Sequence, residues 1–208
     1  MTFAVSIIDL FSFAVPGAVH LSILIYVLLR LGVLDPAALT AMPTPVLVVA
    51  AVVASYLLGH LCHPLGSQLE RLPPRWSRSP DAAQEGFLRR VPQARDRAYV
   101  RADPALLLAA AEIHDKEAAT EIARMRAQSL MLRNIALAAA LVTVVALAEL
   151  IPDGHRLVAA AVAVLAAIGA VSALREGRKL WHVSRLKTLE ICFWIPDIDR
   201  RFAEPVRE

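Results

Sequence analysis

The amino-acid sequence predicts an all-α membrane protein: four transmembrane helices as two hairpins, a cytoplasmic helical segment between them, and a C-terminal cytoplasmic helix. Three observations predict it. Apolar residues make up 57% of the 208, with a mean hydropathy of +0.54, more than a soluble domain carries when it interleaves charge with apolar positions. Four stretches of roughly 18–21 residues hold almost no charge, and a helix needs about 20 apolar residues to cross the hydrocarbon core. The charge is gathered elsewhere: 12 Arg/Lys and 9 Asp/Glu fall within Gly66–Arg133. The expected divisions are a first transmembrane hairpin (1–65), a basic, amphipathic cytoplasmic segment (66–131), a second hairpin (132–174), and a cytoplasmic helix with its tail (175–208).

The first span is expected at about Phe11–Leu29, between Asp9 and the charges Arg30 and Asp35. No Lys/Arg-rich leader precedes it and no small-residue cleavage site follows, so it reads as a retained span. Pro16-Gly17 falls in its first third, where proline removes a backbone donor; a kink, or a short helix Met1–Leu10 lying on the membrane surface, is expected there. The second span runs from Pro45 to Leu65. Gly66–Asp103 holds Pro73, Pro74, Pro80 and Pro92 among arginines, the composition of loop and short helices. Asp103-Pro104 is a helix start, with the aspartate as cap and proline at the first helical position. From Ala105 to Arg133 no Gly or Pro interrupts, so one amphipathic helix is expected to run into the third span, Leu132–Ile151. Pro152-Asp153-Gly154 makes a turn. The fourth span, Leu157–Leu174, continues as a charged stalk to about Phe193, and Pro196 ends it.

Basic residues orient the chain. Eleven Lys/Arg lie between Gly66 and Arg126 and 8 follow Leu174, whereas the two short loops hold only Arg30 and Arg156. Loops rich in Lys/Arg stay in the cytoplasm, which puts the middle segment, the tail and the N-terminus all inside. Arginine outnumbers lysine 19 to 3 and alanine abounds, a bias of GC-rich bacterial genomes, so a bacterial inner membrane is expected. The two cysteines, Cys62 and Cys192, make no disulfide framework.

Several residues bear on chemistry. Tyr56, His60 and His63 share one helix face at the inner end of the second span, beside Cys62. Soft-metal ligand types in that pattern suggest a metal or proton site. Amphipathic rings at a headgroup boundary explain the same pattern, and no fourth ligand is placed, so neither metal nor cofactor is expected. His20 is the one titratable residue deep within a span, which marks it for an ion or proton path; the competing role is helix packing through a bond to a carbonyl of a neighbouring helix, Pro16 also leaving one free, that of Ser12. Ser55 and Gly59, and the series Ala159, Ala163 and Ala167, have the small-residue spacing that lets helices approach closely. They serve either packing within one chain or self-association, and a homo-oligomer is among the expected partners. Arg89, Arg90, Arg95 and Arg97, interleaved with aromatic residues, suit anionic lipid headgroups; the acidic residues among them argue against nucleic acid.

The motifs of intramembrane serine proteases, di-iron desaturases and phosphate-binding loops are absent from the sequence. The leading expectation is therefore a non-enzymatic, multi-pass protein whose cytoplasmic helices dock a protein partner or sense a signal, a class that includes oligomerising, membrane-permeabilising effectors. A small channel or transporter is the alternative, and a membrane-bound metal or lipid enzyme the third reading.

Overall fold

The computed structural model describes residues 2–37, 41–68, 82–151 and 156–203; for residues 2–12, 63, 65–68, 201 and 203 it describes the backbone alone. The arginines at 71, 75 and 78, the turn at 152–154 and the His63 side chain lie outside the described residues. Among those described there are α-helices and short 3-10 turns, and no strand: α1 (Thr2–Arg30), α2 (Thr44–Gln68), α3 (Ala82–Arg90), α4 (Pro104–His114), α5 (Lys116–Ala148), α6 (Arg156–Phe193) and α7 (Ile198–Ala203), with 3-10 turns at Pro92–Ala94 and Ala98–Arg101. Four helices, α1, α2, α5 and α6, are long and apolar enough to cross a membrane. Their large apolar side chains point outward: Val49 is 63% exposed, Leu61 69%, Leu165 70% and Leu157 88%. Faces of this kind are costly in water and at ease in lipid.

The helix boundaries have local causes. α1 runs unbroken through Pro16, so the expected separate surface helix at its start is not seen. It ends where Gly32 takes a left-handed φ of +69°, and the N–H groups of Val33 and Leu34 close on the Leu28 carbonyl at 3.0 and 3.2 Å. Asp103 caps α4 as its sequence requires, its Oδ1 accepting from the Ala105 N–H at 2.7 Å, with Pro104 in the first turn. The single helix expected from Ala105 to Arg133 is two. Asp115 leaves helical geometry (φ −141°, ψ 97°) and its carboxylate accepts from the Ala118 N–H at 3.0 Å, starting α5 afresh. An aspartate offers the backbone an alternative partner, and so starts helices more readily than it continues them.

The chain forms two compact units: Met1–Leu72 with Leu130–Gly177, and Pro73–Ser129 with Arg178–Glu208. They are called here the apolar and the polar unit. α5 and α6 contribute to both, each without a break in the helix.

In the apolar unit, α1 and α2 touch backbone to backbone. A Cβ added to Gly17 would lie 1.7 Å from the Ser55 carbonyl oxygen, and one on Gly59 would lie 2.0 Å from that of Phe13. Only glycine fits at either point.

The polar unit has a side-chain core. Phe87 and Tyr99 are fully buried, and Leu107, Leu189, Cys192, Ile195 and Ile198 close around them. Phe87 meets Tyr99 and Phe193 edge-on, with ring centroids 6.4 and 6.5 Å apart. The Cys192 thiol is buried and donates to the Leu107 carbonyl at 3.4 Å. Two segments far apart in sequence thus make one core.

Candidate functional site

In the apolar unit a groove of about 460 Å3 is lined by α1, α5 and α6. α1 supplies Val19, Ser22, Ile23, Tyr26 and Arg30, the face a helix presents at steps of three and four. α5 supplies Val142, Val145 and Ala146, Glu149 follows directly after its last residue at the same spacing, and α6 adds Val158, Ala159 and Val162. Ala146 is buried, so small side chains open the floor while valines make the walls.

One end of this apolar groove is charged. Arg30 and Glu149 form a two-pronged pair, Nε to Oε1 at 3.0 Å and Nη2 to Oε2 at 3.2 Å. The Tyr26 hydroxyl lies near the same carboxylate. A bidentate pair is the arrangement in which a guanidinium and a carboxylate best tolerate partial removal from water. The pair uses two of the five guanidinium N–H groups, and 57% of the Arg30 side chain and 27% of the Glu149 side chain remain exposed. The site therefore joins a slot for hydrocarbon to one fixed positive and one fixed negative group.

Of the residues singled out in the sequence, Ala159 lines this groove and the others fall elsewhere. His20 is buried, and its Nδ1 lies 2.7 Å from the Pro16 carbonyl of the same helix rather than bonding a neighbouring one. With Nδ1 as donor, Nε2 is left a bare acceptor, and it has no partner. Tyr56 and His60 do share a face: their ring centroids are 4.8 Å apart, and the Phe13 ring meets His60 edge-on at 4.1 Å. These rings seal α1 against α2. Ser55 and Gly59 are buried at that same contact. Ala163 is buried within the chain, while Ala159 and Ala167 are half-buried. No group of three His, Cys, Asp or Glu able to hold a metal is found among the described residues.

In the polar unit the four arginines divide. Arg90 pairs with Glu190 at 2.9 Å, and Arg97 pairs with Asp199 at 2.6 Å, its guanidinium also lying 6.0 Å from the Phe193 ring centroid. Arg89 and Arg95 are exposed. The Tyr99 hydroxyl is buried without a partner; burial, and then the nearby Asp199 carboxylate, push its pKa upward. Around this core, apolar groups stand open to solvent: Leu106 is 57% exposed, Trp194 77% and Ile113 82%.

Sequence reasoning passed over the charged end of the groove. Arg30 served there only to mark the end of a span, and Glu149 was not singled out. The available signal was two opposite charges at the C-terminal ends of the first and third apolar runs, each on the face that carries apolar residues three, four and seven positions earlier.

Comparison with known proteins finds no family model, no curated protein and no solved structure that matches this chain.

Proposed function

We propose that this chain is a non-enzymatic, four-span protein of a bacterial inner membrane, whose cytoplasmic unit docks a protein partner or senses a signal. One observation carries the reading: the middle segment and the tail share a single core, with Phe87, Tyr99 and Leu107 packed among Leu189, Cys192 and Ile195. Segments that share a core lie on the same side of a bilayer, so the chain between Ser129 and Arg178 crosses it an even number of times. α5 and α6 supply those two crossings, the second hairpin. The first is supported by the order of the α1–α2 contacts, in which residue 13 meets 59 and residue 17 meets 55, the sense of antiparallel helices. The excess of Lys/Arg in the middle and the tail then makes their side the cytoplasm.

The docking reading draws on the exposed apolar groups of the polar unit. Leu106 and Ile113 lie seven residues apart on one face of α4, largely uncovered, and aromatic groups such as Trp194 are favoured anchors in interfaces. The helices α5 and α6 tie this unit to the spans without an intervening loop, so a change in the packing of the spans has a covalent, helical route to the docking surface.

The test is site-specific photo-cross-linking in cells, with the photoreactive group at position 113 or 194. The reading expects one protein adduct of discrete mass that Leu106→Asp abolishes. Adducts to lipid alone, together with ion flux through proteoliposomes that His20→Ala removes, would replace it with the channel reading.

A further inference from the structure

We propose that the groove between α1, α5 and α6 holds one bilayer phospholipid with a zwitterionic, primary-ammonium headgroup, of the phosphatidylethanolamine kind. The inference rests on the four-span reading, which places the charged end of the groove at the outer leaflet.

The groove has the volume of a small-molecule site, about 460 Å3 against roughly 300–1,000 Å3 for such pockets. Val19 at 38% exposure and Val162 at 41% flank an open side, so an acyl chain enters laterally from the bilayer with no gate to move. The walls offer an acyl chain only apolar contact along most of their length. What selects the occupant is the charged end. Arg30 and Glu149 together are neutral, yet they present their charges as two separate, fixed groups. The free N–H groups of Arg30 suit a phosphate, and the free lone pairs of Glu149 suit an ammonium that donates hydrogen bonds.

That pairing discriminates by chemistry. A phosphatidylcholine headgroup carries the same charges, but its quaternary nitrogen has no N–H to donate to Glu149. A phosphatidylglycerol headgroup brings a negative charge with no cation for Glu149, and leaves the carboxylate facing like charge. Of these three, the ethanolamine headgroup alone satisfies both partners, and leaving a desolvated polar group unpaired is costly.

The experiment uses the full chain in vesicles of equal parts phosphatidylethanolamine, phosphatidylcholine and phosphatidylglycerol, extracted in mild detergent and weighed by native mass spectrometry. The expected result is one phosphatidylethanolamine per chain, enriched at least about tenfold over each of the others, the lower end of what one hydrogen bond to a charged group contributes. Val162→Trp, which fills the groove from its exposed edge, should abolish retention; Ala159→Leu does the same from the wall should the tryptophan variant fail to insert. Glu149→Gln leaves Arg30 unopposed and should turn the preference toward phosphatidylglycerol. Retention of all three lipids in vesicle proportion, or equal retention by wild type and both groove-filling variants, would overturn the proposal. So would a dimer mass that Val162→Trp dissolves, since a second copy would then occupy the groove. Each preparation is first washed in alkaline carbonate: a chain that washes off the membrane contradicts the spanning reading itself, separately from any result on lipid.

Discussion

The two units are held together by opposite means. In the apolar unit the closest contact joins Gly17 to Ser55 and Gly59 to Phe13, backbone on backbone, and large side chains such as Val49 and Leu165 point away from the protein. In the polar unit the large side chains point inward, Phe87 and Tyr99 being fully buried, and charges such as Arg90 and Glu190 stand outside. The solvent accounts for the difference. Water drives apolar groups together, so a unit in water gathers its bulk into a core. Lipid provides no such drive, so helices there associate through close contact between small residues. One chain thus follows both rules, and α5 and α6 pass from one to the other.

If the contrast holds, damage to one unit leaves the other standing. The largest effect is expected from Phe87→Ala in the polar unit, about 3–5 kcal/mol as for other large buried aromatics. Among the described residues both tryptophans, Trp181 and Trp194, fall in the polar unit, so tryptophan fluorescence of the intact chain in detergent reports the loss. Membrane insertion of this variant should be unchanged. Gly17→Ala and Gly59→Ala are the mirror experiment. Each should cost about 1–3 kcal/mol or more, as overpacking does when backbone has no rotamer by which to yield. Their effect should appear as faster proteolysis of the loop between α1 and α2, with the tryptophan transition in place.

Tyr99 sharpens the account of the polar core. Its phenol is raised above the usual 10.0, burial being the main cause, so the fold favours the neutral form. The stability this contributes is fully present below pH 10 and is lost as pH rises above it through the folded value. A fluorescence-detected denaturation series from pH 8 to 11 should show the decline, and Tyr99→Phe should flatten it. Because the buried hydroxyl has no partner, the phenylalanine variant should at neutral pH be as stable as wild type, or more so. The smallest effects belong to the surface. Arg90→Ala and Arg97→Ala remove exposed ion pairs, which contribute little in water, and should move the tryptophan transition far less than Phe87→Ala does; a loss as large as that of Phe87→Ala from either would mean that the polar unit depends on its surface charge.

How far the sequence could be read follows the same divide. The four apolar helices were legible from runs of residues such as those from Val46 to Leu61, because hydrocarbon thickness sets their length. Asp103-Pro104 was legible as a helix start because both residues act locally. The break at Asp115 was hidden by good helix formers on either side; its extended backbone and its side-chain bond to Ala118 reveal it. Ser55 and Gly59 stood out by their spacing, but their partners Phe13 and Gly17 follow from how two helices meet. The pairing of Arg30 with Glu149, 119 positions apart, is tertiary in the same way, and so is the core that Leu189 and Cys192 share with Phe87.

The central claim is that the middle segment and the tail form one unit on one side of the membrane. Cysteine labelling of intact cells tests it most directly. In a chain freed of Cys62 and Cys192, single cysteines replace the exposed residues Val33, Arg95 and Arg200, and a membrane-impermeant maleimide is added from outside. The account predicts that Val33→Cys reacts at once, while Arg95→Cys and Arg200→Cys react only after the membrane is opened. Reaction of Arg95→Cys and Arg200→Cys from opposite sides would contradict it.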